Sequence, residues 1–165
     1  MFAPSSGHIY TLSAGIDITT PSSGSYSLQL GFIGSPNTTQ NLGSSGDAYA
    51  SVGQTGSAVL WSGPGAYAGS LTTNNNATNT FSITLNTTAP QWTYEFTVDG
   101  TSTTPTAFTA NPTIAGVGMG STGGSVKGTL SNFSLTDSSV PEPASLGLLA
   151  VGGLGLLLLG KRRHA

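Results

Sequence analysis

The sequence predicts an all-β fold, an antiparallel β-sandwich or jelly roll followed by a single C-terminal transmembrane helix. Three observations carry this. Apolar residues recur with a period of two between residues 8 and 136, connectors rich in Gly, Ser and Asn separate these stretches, and an uncharged apolar run from Ala144 to Gly160 ends in Lys161, Arg162 and Arg163. A period of two puts alternate side chains on one strand face, and the connectors leave no room for helix-length amphipathic segments. The chain thus divides into a β-sandwich domain at 1–136, a linker at 137–140 and a tail at 141–165, whose helix covers 144–160 and whose basic end covers 161–163.

The elements follow in order. Tyr10, Leu12, Ala14, Ile16 and Ile18 alternate with Thr11, Ser13, Gly15 and Asp17, and the pattern returns at Tyr26, Leu28, Leu30 and Phe32. Phe81, Ile83 and Leu85 repeat it. Trp92, Tyr94, Phe96 and Val98 give the strongest alternation, which predicts a central strand ending at Asp99-Gly100, a dipeptide suited to the positive φ angles of a tight hairpin turn. Near the end, Val126, Gly128 and Leu130 share one parity and Phe133 and Leu135 the other, so a bulge at Ser131-Asn132 would turn both sets inward. The connectors are Pro21–Ser25, Gly34–Gly46, Gly63–Gly69, Thr72–Asn79 and Ser121–Gly124. About 130 residues of such strands suffice for one buried core, with no second domain.

Composition narrows the function. Only 6% of residues are charged, against roughly 25% in ordinary soluble domains. Ser, Thr, Gly and Asn supply the polarity, as expected of an exported surface held by hydrogen bonds rather than ion pairs. With the tail set aside, Lys127 stands alone against Asp17, Asp47, Glu95, Asp99 and Asp137, which excludes a nucleic-acid footprint. Cysteine is absent, so disulfides, thiol chemistry and Cys-based metal sites are excluded. Met1–Gly7 carries neither a basic nor an apolar signal region, so an upstream start or a longer parent chain is expected.

The tail is the most specific stretch. Val140, Pro141, Glu142 and Pro143 precede the apolar run, and three of the chain's four basic residues cluster at Lys161, Arg162 and Arg163. Such a cluster marks a cytoplasmic flank. Seventeen residues span about 25 Å, short of the roughly 30 Å hydrocarbon core, a gap that bilayer thinning and snorkelling of Lys161 and Arg162 would cover. The competing readings are a buried apolar helix within a soluble domain and a plain tail anchor that no enzyme processes.

This order of parts resembles the PEP-CTERM sorting signal of bacterial envelope proteins, in which V-P-E-P precedes a short transmembrane helix and an Arg-rich end. The resemblance implies membrane lipid and an exosortase-type sorting enzyme as partners. It also implies a single-pass protein with a cytoplasmic C-terminus before processing, and a cell-surface or extracellular one afterwards. Gly152, Gly153 and Gly155 depart from a strong helix former, each costing about 1 kcal/mol relative to alanine. Residues Thr80–Thr136, with TFSITL, QWTYEFTVDG and GTLSNFSLT, also resemble the later half of concanavalin A-like and laminin-G-like sandwiches, whose relatives often bind or cleave polysaccharide.

Catalysis is not expected. The cleaving relatives carry a Glu-x-Asp-x-x-Glu strand, whereas here Thr97 stands between Glu95 and Asp99 and no second glutamate follows. Glycoside hydrolysis needs two carboxylates about 5–10 Å apart, and five scattered acids offer no pair. A serine triad lacks a histidine, since only His8 and His164 exist. No catalytic or metal-binding residue is therefore named and no cofactor is expected; structural calcium, held by Asp carboxylates and backbone carbonyls, stays open without assigned ligands. Trp61, beside a Gly-Pro loop, with Tyr67 six residues on, is the candidate for stacking on sugar, set against a simple core cap. Asn37, Asn76, Asn86 and Asn132 begin Asn-x-Ser/Thr sequons that read as ordinary polar positions.

The expected function is that of a non-enzymatic, exported envelope or extracellular-matrix protein, inserted through its tail and processed by an exosortase. The alternatives are a surface-displayed, lectin-like module for extracellular polysaccharide and a degenerate glycoside hydrolase.

Overall fold

The structure, a computed structural model, describes residues 2–20, 27–34, 42, 46–52, 57–63, 66–74, 77–122 and 127–139. Among them lie β1 (His8–Thr20), β2 (Ser27–Ile33), β3 (Gly46–Val52), β4 (Ser57–Trp61), β5 (Tyr67–Thr72), β6 (Asn79–Asn86), β7 (Thr93–Val98), β8 (Thr101–Ser102), β9 (Thr106–Ala107), β10 (Gly116–Thr122) and β11 (Lys127–Ser139). A first sheet runs β11-β1-β6-β7-β8 with β9 also on β7, and a second runs β10-β2-β3-β4-β5. Every pairing is antiparallel.

One main core lies between the sheets because each strand turns its apolar parity inward. Tyr10, Leu12, Ala14 and Ile16 from β1, Phe81, Ile83 and Leu85 from β6, and Tyr94, Phe96 and Val98 from β7 meet Leu28, Leu30 and Phe32 from β2, Ala48, Ala50 and Val52 from β3, and Ala58 and Leu60 from β4. Trp92 packs on the edge of this core. The opposite face of the first sheet is lined with hydroxyls, among them the Ser13–Ser134 and Thr97–Ser102 pairs, each at 2.8 Å. Neutral hydrogen bonds thus take the place of surface ion pairs.

The alternating stretches at Tyr10–Ile18, Phe81–Leu85 and Tyr94–Val98 are strands with the expected faces inward. Asp99 and Gly100 adopt φ angles of 48° and 82°, as the turn requires. Asn132, at φ 52°, sits in the expected bulge, where the register passes from Ser13↔Ser134 to Gly15↔Ser131.

Other expectations change. Strand β7 is not central: β6 and β1 are, and among the described residues only the two-residue strands β8 and β9 lie beyond β7. Its strong alternation records burial against the facing sheet, which lateral position does not set. The bulge returns Leu130 and Leu135 to the core side, but Phe133 stays 41% exposed on the rim of an edge strand. Residues 137–139, assigned above to a linker, are the paired end of β11, with His8↔Ser139, Ile9↔Ser138 and Tyr10↔Asp137 in register. Strands β3 and β4 carry small inward residues (Ala48, Ala50, Ala58), so their periodicity is weak in the sequence.

Candidate functional site

Trp61 does not cap the main core. Along β4, Ala58 and Leu60 point inward, which turns Trp61 to the outer face of the second sheet. Tyr49 does the same on β3, and the two residues pair directly across the strands with rings stacked at 5.9 Å and 10°. Tyr67 opens β5 after the turn closed by the Ser62 N–H on the Ala66 carbonyl and the Ala66 N–H on the Gly63 carbonyl. Its ring meets the indole edge-on at 6.2 Å and 83°. The structure thus brings the two sequence candidates together and adds Tyr49, which sequence reasoning missed because a lone tyrosine among alanines gives no periodic signal.

The three rings grade from inside to outside. Tyr49 is 2% exposed and Tyr67 64%, with Trp61 half-buried between them. Behind them Ile33 and Leu42 complete a second apolar cluster, and the Leu42 N–H donates to Oε1 of buried Gln29 at 2.7 Å. The Trp61 indole N–H is buried and has no hydrogen-bond partner among the described residues. Such a donor costs about 1–3 kcal/mol until an acceptor reaches it.

Burial pushes the Tyr49 phenol up from its ordinary value. The unfolded chain therefore releases this proton at lower pH than the folded one, so stability holds below about pH 10 and falls as pH rises beyond it. Tyr49→Phe should flatten that loss, read as the urea midpoint between about pH 8 and pH 11. An unchanged alkaline slope in the variant would assign the loss to other tyrosines.

Glu95, Asp99 and Asp137 belong to the first sheet, apart from this face. Glu95 projects from β7 opposite Thr84 on the hydroxyl side of the first sheet. Asp99 is a turn carboxylate that accepts the Thr80 N–H at 2.7 Å and Asn74 Nδ2 at 3.2 Å. Asp137 meets His8, its Oδ1 lying 2.7 Å from His8 Nδ1. No group of three or more His, Asp or Glu side chains that could hold a metal ion occurs among the described residues.

That His8–Asp137 contact lies where the tail leaves the domain. The His8 ring stacks on Tyr10 at 5.6 Å, and the His8 backbone N–H donates to Thr87 Oγ1 at 3.1 Å. Thr87, 1% exposed, in turn donates its hydroxyl toward the Ser5 and His8 carbonyls. Sequence reasoning missed this junction, whose partners lie 129 residues apart. Val140, Pro141, Glu142, Pro143, the 144–160 run and Lys161, Arg162 and Arg163 lie outside the described residues. Among the described residues no helix is long and apolar enough to cross a membrane.

Comparison with known proteins matches residues 139–163 to the PEP-CTERM protein-sorting motif. No curated protein matches the chain. Among solved structures, sheep galectin-11 in complex with glycerol is 12% identical, with 83% of this chain and 93% of that one covered and a TM-score of 0.45. A variant of human galectin-16 is 13% identical, with 84% and 92% covered and a TM-score of 0.47.

Proposed function

We propose that this chain is a non-enzymatic envelope protein, exported, held by its C-terminal segment in membrane lipid with Lys161, Arg162 and Arg163 on the cytoplasmic side, and released to the surface by an exosortase-type enzyme. The single observation that carries this reading is the sorting-motif match at 139–163, which starts on the last paired residue of β11. The motif implies exosortase processing and a place in the cell envelope; insertion as one helix at 144–160 and cleavage beyond about Pro143 are the finer part of the proposal. The folded domain is then cargo, a compact sandwich presented without chemistry of its own. The intact mass of the native surface or secreted form is the test: loss of Lys161–Ala165 is expected, and their retention would leave the tail a simple anchor.

A second reading rests on the aromatic face. Tyr67 offers an exposed ring and Trp61 a half-buried one beside it, an arrangement suited to stacking on a pyranose. Under this reading the displayed domain binds extracellular polysaccharide. Tryptophan fluorescence titrated with a panel of soluble neutral polysaccharides should show saturable binding without turnover of the sugar. Trp61→Ala should abolish it; binding that survives the substitution would remove this face from the function.

A further inference from the structure

The distance between domain and motif is short. Strand β11 stays paired with β1 through Ser139↔His8, and the sorting motif begins at that same residue. Only Val140 and Pro141 separate Ser139 from Glu142. Three residues beyond Ser139 reach about 10 Å at full extension, no more than the roughly 10 Å between two packed sheets. An enzyme that grips Glu142 in a cleft therefore meets the end of the sandwich before it can enclose the peptide on both sides.

We propose that the C-terminal end of β11 is a clasp that must open before the tail is cut, so that pairing of Asp137–Ser139 with His8–Tyr10 governs the rate of processing. This rests on the exosortase reading above. Releasing residues 137–139 adds about 10 Å of free extended chain and doubles the reach. The clasp is built to hold but not to lock. The Thr87 hydroxyl and backbone, bonded to Ser5, Gly7 and His8, fix the β1 side of the junction, whereas the β11 side is held by ladder bonds and the His8–Asp137 contact, whose side chains are 28% and 50% exposed. An exposed pair at a strand end is among the first parts of a fold to open. β1 would stay in place while β11 peels back to Asp137.

The absence of cysteine allows a direct test. His8 and Ser139 stand directly opposite in the antiparallel ladder, where Cα atoms lie about 4.5–5.5 Å apart, within disulfide range. In cells carrying the sorting enzyme, processing of the full-length protein is followed by intact mass after a pulse of synthesis. His8→Cys combined with Ser139→Cys should be processed more than about tenfold more slowly when oxidised and at least as fast as the wild type on reduction, since His8→Cys also removes the contact with Asp137. Insertion of six Gly/Ser residues between Ser139 and Val140 should accelerate processing severalfold, and Asp137→Ala by roughly two- to fivefold, the range a single exposed side-chain hydrogen bond is worth. Cleavage of the oxidised form at the wild-type rate, or a Gly/Ser insertion without effect, would overturn the clasp alone. A wild-type protein that keeps its tail would overturn the exosortase reading and the clasp with it.

Discussion

Phe96→Ala should lower stability by about 3–5 kcal/mol, among the largest losses any single substitution here can produce. The ring is 1% exposed in the middle of β7, opposite Ile83 of β6 and edge-on to Tyr94 at 5.6 Å. Truncation removes its apolar area and leaves a cavity between two sheets whose strands are tied by ladder bonds and cannot close over it. The backbone bonds of residue 96, its N–H to Thr103 Oγ1 and its carbonyl to the Thr103 N–H, survive, so the loss reports packing alone. At about 2–4 °C per kcal/mol for a chain of this size, the thermal midpoint should fall by roughly 10 °C. Thr97→Ala, one residue on and facing the hydroxyl side, should cost no more than about 1 kcal/mol. Urea unfolding of both variants, followed by near-ultraviolet circular dichroism, separates the two faces. Equal effects would mean that β7 does not divide core from solvent.

The contrast between these neighbours also explains what was legible in the sequence. Where large apolar residues alternate with Thr and Ser, as in β1, β6 and β7, the inward face could be read directly. Asp99-Gly100 announced its backbone conformation because few other residues tolerate positive φ, and the bulge at Asn132 showed in the switch of apolar parity between Leu130 and Phe133. Strands β3 and β4 were not legible one by one, since alanine takes three of their inward positions, Ala48, Ala50 and Ala58, and small residues carry little hydrophobic contrast. Trp61 and Tyr67 could be named as candidates, but only the pairing of β3 with β4 shows that Tyr49 joins them on the outer face. Lateral order is equally silent in sequence, so neither the edge position of β11 nor the contact of His8 with Asp137 could be foreseen. That long-range pairing is what brings the N-terminal segment to the exit of the tail.

Glu142→Ala should leave the protein membrane-bound with its tail intact in a host that processes the wild type. A proline disfavours the helical region for the residue before it, so the sequence predicts an extended Val140 and Glu142. The substitution keeps both prolines, removing only the carboxylate and one methylene. A site that pairs that carboxylate with buried donors is left with unmet hydrogen bonds when it is absent, and selectivity built in this way exceeds about a hundredfold. Glu142→Gln, which keeps the shape and an acceptor oxygen but not the charge, should fall between the two. Membrane fractionation and intact mass after equal times of synthesis supply the measurement, with residues Lys161–Ala165 as the diagnostic end. If the alanine variant loses those residues as fast as the wild type, the carboxylate is not what the enzyme reads, and recognition must rest on the prolines, the apolar run or the basic end.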